Sequence, residues 1–147
     1  YSGFEKIRTL PRAQKDFYRA LCGGLVMFTT KIRGDIGENI AAEYLKGLGY
    51  EIMERNYRTE LGEIDIIAAG EGYLIFVEVK TRLNENHGYG ADAVNYRKRK
   101  KINEVASQYI KKYRLFNSAV RFDIVEVYTE DKRVEHIKNA FDSYLRY

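Results

Sequence analysis

The stretch GEIDIIAAGEGYLIFVEVKTR, from Gly62 to Arg82, decides how this chain folds. Two apolar runs, Ile64 to Ala68 and Tyr73 to Val79, flank Ala69-Gly70-Glu71-Gly72, the pattern of two strands joined by a turn. A turn over those four residues pairs Ala68 with Tyr73, Ile67 with Leu74, Asp65 with Phe76 and Glu63 with Glu78. Asp65 and Glu78 then become diagonal neighbours on one face, roughly 7–8 Å apart and close enough to converge on one ion. Lys80 lies two residues beyond Glu78 and points the same way from the strand.

The residues around these charges make them informative. Ile64, Ile66, Ile67, Phe76, Val77 and Val79 crowd both faces, which predicts strands covered on each side. A carboxylate in such a place needs a cation, and Lys80 alone cannot neutralise Glu63, Asp65 and Glu78 together. An E-x-K triplet by itself is an ordinary surface ion pair, which contributes little. The acid one strand earlier is what turns the triplet into a candidate site.

Upstream, Ile36, Ile40, Ala41, Tyr44, Leu45 and Leu48 recur with the period of an amphipathic helix over Asp35 to Leu48, and Gly49 stops it. Glu38 follows Gly37 near the helix start, where a first-turn acid is also favoured simply by the helix dipole. Tyr50 to Tyr57 reads as a strand and Arg58 to Gly62 as the loop into the hairpin. Downstream of Lys80 the chain turns polar. Gly88-Tyr89-Gly90 marks a mobile loop over the site, with His87 an exposed loop histidine.

A second helix follows, with Ile102, Val105, Ala106, Tyr109, Ile110 and Tyr113 as its buried stripe. Stepping back by helical turns from Ile102 puts Lys98 and Val94 on that stripe, while Arg97, Arg99 and Lys100 point elsewhere. The run Arg97 to Lys101, RKRKK, concentrates positive charge at the helix start, suited either to a solvated face or to phosphates. Val120 to Val127 and Val134 to Asn139 read as the last strands, and the aromatic tail Phe141 to Tyr147 packs on the body.

Composition sets the bounds. The chain has 147 residues, of which 45% are hydrophobic and 31% charged, enough for one folded domain with a sizeable core. The net charge of +4 favours a polyanionic partner only mildly, so the placement of charge matters more than its sum. Cys22 is the one cysteine, which excludes an internal disulfide, and with only His87 and His136 beside it a zinc cluster is not expected. A reducing, cytoplasmic setting follows as the expectation.

Residues 1–30 differ in character and form an N-terminal extension to a domain at 31–147. Their apolar run, Ala20 to Phe28, is too short to span a membrane, and Gly23-Gly24 interrupts any likeness to a signal peptide. Met27 is the expected natural start. No phosphate-binding glycine motif is present, so a nucleotide cofactor is not indicated.

Gly37-Glu38, Asn56-Tyr57-Arg58, Gly62-Glu63-Ile64-Asp65, Phe76 to Arg82, and Ala93-Val94 with Lys98 together resemble the YraN-type family of uncharacterised bacterial proteins. The resemblance covers Lys31 to the C-terminus; His87 and Gly90 depart from it, at positions where relatives tend to have Phe and Pro. It implies an α/β fold with a restriction-endonuclease-like αβββαβ core, a mixed central sheet flanked by helices. That is the PD-(D/E)XK arrangement, similar to archaeal Holliday-junction resolvases. It makes Asp65, Glu78 and Lys80 the nuclease signature and Glu38 an additional helix-borne acid.

On that reading Asp65 and Glu78, with the Val79 carbonyl and Glu38, hold Mg²⁺ or Mn²⁺ for phosphodiester hydrolysis. Arg58, Arg82, Arg97, Lys98, Arg99 and Lys101 are the expected nucleic-acid contacts. The expected substrate is DNA, branched or damaged, and a junction needing two cuts favours a homodimer. The competing readings are a non-catalytic nucleic-acid-binding module with a relic acidic cluster, and a structural or interaction protein.

Overall fold

The hairpin register sets the rest of the sheet. In the computed structural model, which describes residues 26–83 and 94–147, Gly70 pairs with Tyr73, Ala68 with Ile75 and Ile66 with Val77. The turn is therefore the two residues Glu71-Gly72, with φ of 54° and 82°. Positive φ at both central residues is the hairpin turn whose twist matches that of the strands.

The register expected from a four-residue turn is corrected by two positions, so that Ile66 rather than Ile64 pairs with Val77. Because side chains alternate with a period of two, that shift leaves the paired residues from Ile66 to Val77 on their expected faces. Gly70 stays in the strand because its missing side chain makes room for a ring: a Cβ there would come within 2.5 Å of Tyr50 Cδ1.

The elements run α1 (Val26–Gly47), β1 (Glu51–Thr59), β2 (Gly62–Gly70), β3 (Tyr73–Arg82), α2 (Tyr96–Tyr113), β4 (Ala119–Tyr128) and β5 (Arg133–Ile137). One five-stranded sheet has the order β1-β2-β3-β4-β5. β3 and β4 are parallel, and the other neighbours are antiparallel. The αβββαβ order and the mixed sheet are thus both present, with a fifth strand added at the end. Strands extend beyond their expected ends: Thr59 pairs with Gly62 in a second tight hairpin where a longer loop was expected, and β3 runs on to Arg82. The loop carrying His87 and Gly90 lies outside the described residues, as does most of the N-terminal extension.

Each face of the sheet has its own apolar layer. Ile66, Ala68, Ile75, Val77, Val125 and Val127 pack under Ala41, Ala42 and Leu45 of α1. Ile67, Leu74, Phe76, Phe122 and Ile124 pack under Ile102, Val105, Ala106, Tyr109 and Ile110 of α2. Tyr113 ends its stripe half-exposed, its ring 4.6 Å from that of Tyr109 and its hydroxyl donating to Glu54. α1 ends as expected at Gly49, whose φ of 88° closes the helix with Gly49 N–H donating to Lys46 O and Tyr50 N–H to Leu45 O. Asn95 caps α2, its side chain accepting from Lys98 N–H at 3.0 Å.

Gly37 lets α1 approach β3. A Cβ at Gly37 would collide with Thr81 Oγ1 and lie 2.9 Å from Thr81 Cβ. Gly37→Ala is expected to destabilise the fold by about 1–3 kcal/mol, the usual cost of overpacking. Urea unfolding measures it, and a change below about 0.5 kcal/mol would show that the helix yields without strain.

Candidate active site

The site lies where the sheet splays. β2 and β3 pair as far as Ile66 and Val77, and there the Asp65 carboxylate takes the place of a main-chain acceptor, receiving Val79 N–H at 2.8 Å. Side-chain alternation also breaks at this point. Ile64 and Ile66 are two residues apart and should share a face, yet Ile64 packs in the α2 layer and Ile66 in the α1 layer.

β1 makes the same switch: Arg55 donates to Asn39 of α1, Tyr57 packs against Tyr109 of α2, and Asn56 between them has φ 52°. Asp65 consequently feels groups from both helices, Glu38 from α1 and Lys98 from α2.

Glu78 is 5% exposed. Its Oε1 lies 3.2 Å from Lys80 Nζ and 3.4 Å from Lys98 Nζ. Its Oε2 is buried without a hydrogen-bond partner. An orphaned carboxylate oxygen inside the fold is expensive to keep, which marks Glu78 Oε2 as a place for a ligand.

Burial, and then the neighbouring Glu78 charge, push Asp65 up to about 7, against the opposing pull of Val79 N–H and Lys98. Glu38 is also raised, by burial first, while a hydrogen bond with Asn56 opposes the shift. Acids whose pKa values are raised by burial and by one another are the mark of a site built for a cation or a proton.

The donor set fits a hard divalent ion. Among the described residues no three His, Cys, Asp or Glu side chains stand together as a ready-made cluster. Two carboxylates suffice for Mg²⁺, which keeps several of its waters and binds through one or two acidic groups. Asp65 and the orphaned oxygen of Glu78 could provide them.

The remaining candidates divide. Lys98 reaches the acids from the first turn of α2 and keeps 40% of its side chain exposed. Arg97 and Lys101 are exposed on the same helix. Arg58 pairs with Glu63 at 2.9 Å near the hairpin tip, which draws Glu63 away from the acidic pair. Arg82 is 14% exposed and bound at 2.9 Å to the buried Glu126 of β4, so its charge is committed inside the sheet. Arg99 donates to Val94 O and packs over the ring of Phe141. Asn56 is the residue that strand periodicity passes over; its αL backbone and its bond to Glu38 appear only in three dimensions, although Asn is a residue that tolerates that conformation.

Residues 37–127 match the family model described as Uncharacterised protein family UPF0102. The matched span contains Glu38, Asp65, Glu78, Lys80 and Lys98. A UPF0102 protein of Clostridioides difficile (strain 630) is 53% identical over 111 residues, covering 76% of this chain and 97% of the relative. One from Alkaliphilus metalliredigens is 45% identical over 113 residues, 76% of this chain and 99% of the relative. One from Caldanaerobacter subterraneus is 43% identical over 116 residues, 76% of this chain and 95% of the relative.

Proposed function

The chain belongs to the uncharacterised family UPF0102, and from that membership and the geometry of its acids we propose that it is a metal-dependent endonuclease acting on DNA. The observation that carries the reading is Glu78: one oxygen held by two lysines and the other orphaned beside an Asp65 raised to about 7. A Mg²⁺ ion, with Mn²⁺ as a substitute, would be held by Asp65, Glu78, the Val79 main-chain oxygen and Glu38, and would supply polarisation of the phosphate and a more acidic water.

The chain's own groups do the rest. Lys80 is partly exposed beside Glu78 and presents its ammonium to the side from which a phosphate arrives, where it stabilises charge developing on phosphorus. Lys98 shares the same carboxylate oxygen and has a long exposed stem, so it can leave Glu78 for a phosphate oxygen once another cation takes that carboxylate. Asn56 holds Glu38 toward the acids. Arg97 and Lys101 extend the positive surface along α2 for the flanking backbone. Among the described residues no helix is long and apolar enough to cross a membrane, and a DNA substrate, together with a single cysteine in the chain, fits a cytoplasmic setting.

Lys98→Ala is expected to slow single-turnover cleavage by about 10²-fold, the typical loss when one preorganised donor to the transition state is removed. Binding at low salt should change less. Equal losses in both would place Lys98 in binding alone.

The decisive experiment follows cleavage of labelled duplex, flap, single-stranded and four-way-junction DNA and of RNA, in Mg²⁺, Mn²⁺ or EDTA. Metal-dependent cutting supports the reading. A second reading, a nucleic-acid-binding module without catalysis, is favoured by one observation: Lys80 and Lys98 already neutralise Glu78 without any metal. Binding without cutting under every metal condition would select it.

A further inference from the structure

The C-terminal tail is more firmly built than a loose end requires. Phe141 is buried and stacks on Phe122, with centroids 5.1 Å apart. Beyond it, Tyr144 N–H donates to Asn103 Oδ1 at 2.6 Å and Arg146 N–H to Ser107 Oγ at 3.2 Å, which fixes the tail alongside α2. Asn103 and Ser107 are themselves buried, so polar side chains inside a helix flank are committed to holding the main chain of the tail.

Between the tail and the outer flank of α2 runs a groove of about 970 Å³. Its walls carry two aromatic rings in water: Tyr96 is 77% exposed and Tyr144 59% exposed. Lys100, Lys111 and Arg146 line it as well, against the acids Glu104 and Asp142.

We propose that this groove binds single-stranded DNA, with unpaired bases stacking on Tyr96 and Tyr144 and phosphates on Lys100, Lys111 and Arg146. Exposed rings interleaved with cations are the pattern by which single strands are held, because an unpaired base offers its flat face and a duplex does not. An apolar peptide fits less well, since Lys100, Lys111, Arg146, Glu104 and Asp142 charge a lining whose apolar part is Leu61, Ala140 and Phe141. From Tyr96 to Lys111 the helix flank is about 22 Å long at 1.5 Å per residue, room for several nucleotides.

Lys98 reaches Glu78 from the first turn of α2, while Tyr96 and Lys100, two residues to either side, leave the helix on its other flank and border the groove. Resting on the nuclease reading, the groove is a second contact for DNA that carries a single-stranded arm, on the opposite flank of α2 from the acids.

The test is binding, measured in EDTA so that nothing is cut. Fluorescence anisotropy compares an oligothymidylate of about 20 nucleotides, the matching oligouridylate and a blunt duplex, on wild type, Tyr96→Ala, Tyr144→Ala, the double variant and Tyr96→Phe/Tyr144→Phe. Each alanine is expected to weaken oligothymidylate binding about tenfold and the pair about 100-fold, with duplex binding within about twofold and the phenylalanine variant close to wild type. Both rings are exposed, so unchanged melting temperatures check that the variants fold.

Alanine variants that bind oligothymidylate as wild type does, that lose duplex equally, or that bind oligouridylate in preference would overturn the proposal. So would competition by polyglutamate as effective as that by DNA, which would mark a surface for any polyanion. The nuclease reading is scored apart from this, on metal-dependent cutting of the same DNAs. A protein that never cuts but loses single strands selectively on ring removal keeps the groove and loses the nuclease.

Discussion

Glu78→Ala is expected to lose DNA cleavage by at least about 10³-fold, since a carboxylate that places the cation controls several kcal/mol of transition-state stabilisation and each ~1.4 kcal/mol is a factor of ten. DNA binding should persist. The substitution removes the counter-ion of Lys80 and Lys98 and so leaves the surface more positive. The fold should persist as well, because Lys98 is partly exposed and its freed ammonium can relax into water. Single-turnover cleavage and low-salt binding, measured side by side, test both halves. A variant that cuts at the wild-type rate would take Glu78 out of the mechanism; one that neither cuts nor binds would put it in the architecture instead.

Asp65 is expected to make the metal-free protein less stable as the pH rises. Its carboxyl titrates at about 7 in the fold against an ordinary 3.8, so the native state binds its proton more tightly than the unfolded chain does. The stabilisation tied to that proton is complete below about pH 4 and fades as the pH climbs through 7. A difference of about three units corresponds to roughly 4 kcal/mol at most. Asp65→Asn keeps an acceptor for Val79 N–H and abolishes the charge.

The Asn variant should therefore be more stable than wild type at pH 8 by about 2–4 kcal/mol and indistinguishable at pH 4. It should also be inactive. Mg²⁺ should raise the melting temperature of wild type at pH 8, where Asp65 is ionised, and leave the Asn variant unmoved. A wild-type stability flat from pH 4 to 8, with no response to Mg²⁺, would remove Asp65 as a strained acid. The stabilised but inactive variant is the usual exchange at a site whose charges are held against their preference.

Part of this arrangement is legible in the sequence because the period of a strand is rigid along β3, where Glu78 and Lys80 stand two residues apart and meet at 3.2 Å. Asp65 sits where the alternation of β2 breaks, between Ile64 and Ile66, so counting alternate residues does not by itself give its position. The turn itself was hidden by Gly70, which looks like a turn residue but stays in β2 to accommodate the Tyr50 ring. It was hidden also by Glu71, an unusual residue at φ 54°, whose carboxylate binds Arg121 at 2.8 Å and Lys138 at 2.6 Å.

Lys98 was within reach because helical spacing back from Ile102 is equally rigid. The fate of the other cations was not. Arg82 finds Glu126 only because β3 and β4 pair in parallel, 44 residues apart in sequence, and no local pattern shows which acid sits opposite. The groove along α2 was illegible for the same reason, since its second wall is a tail whose place depends on Asn103 and Ser107.

The kink in β1 has a consequence for life at high concentration. β1 is a nine-residue strand at one edge of the sheet. A straight edge of that length offers a row of unpaired amides and carbonyls to the edge of another molecule, the start of strand-by-strand polymerisation. Here the register slips between Ile52 and Glu54, and Asn56 turns the chain to positive φ, while Glu51, Glu54, Arg55 and Arg58 set charges along the same border. The irregularity that brings Asn56 to Glu38 therefore also spoils the template for strand-by-strand extension.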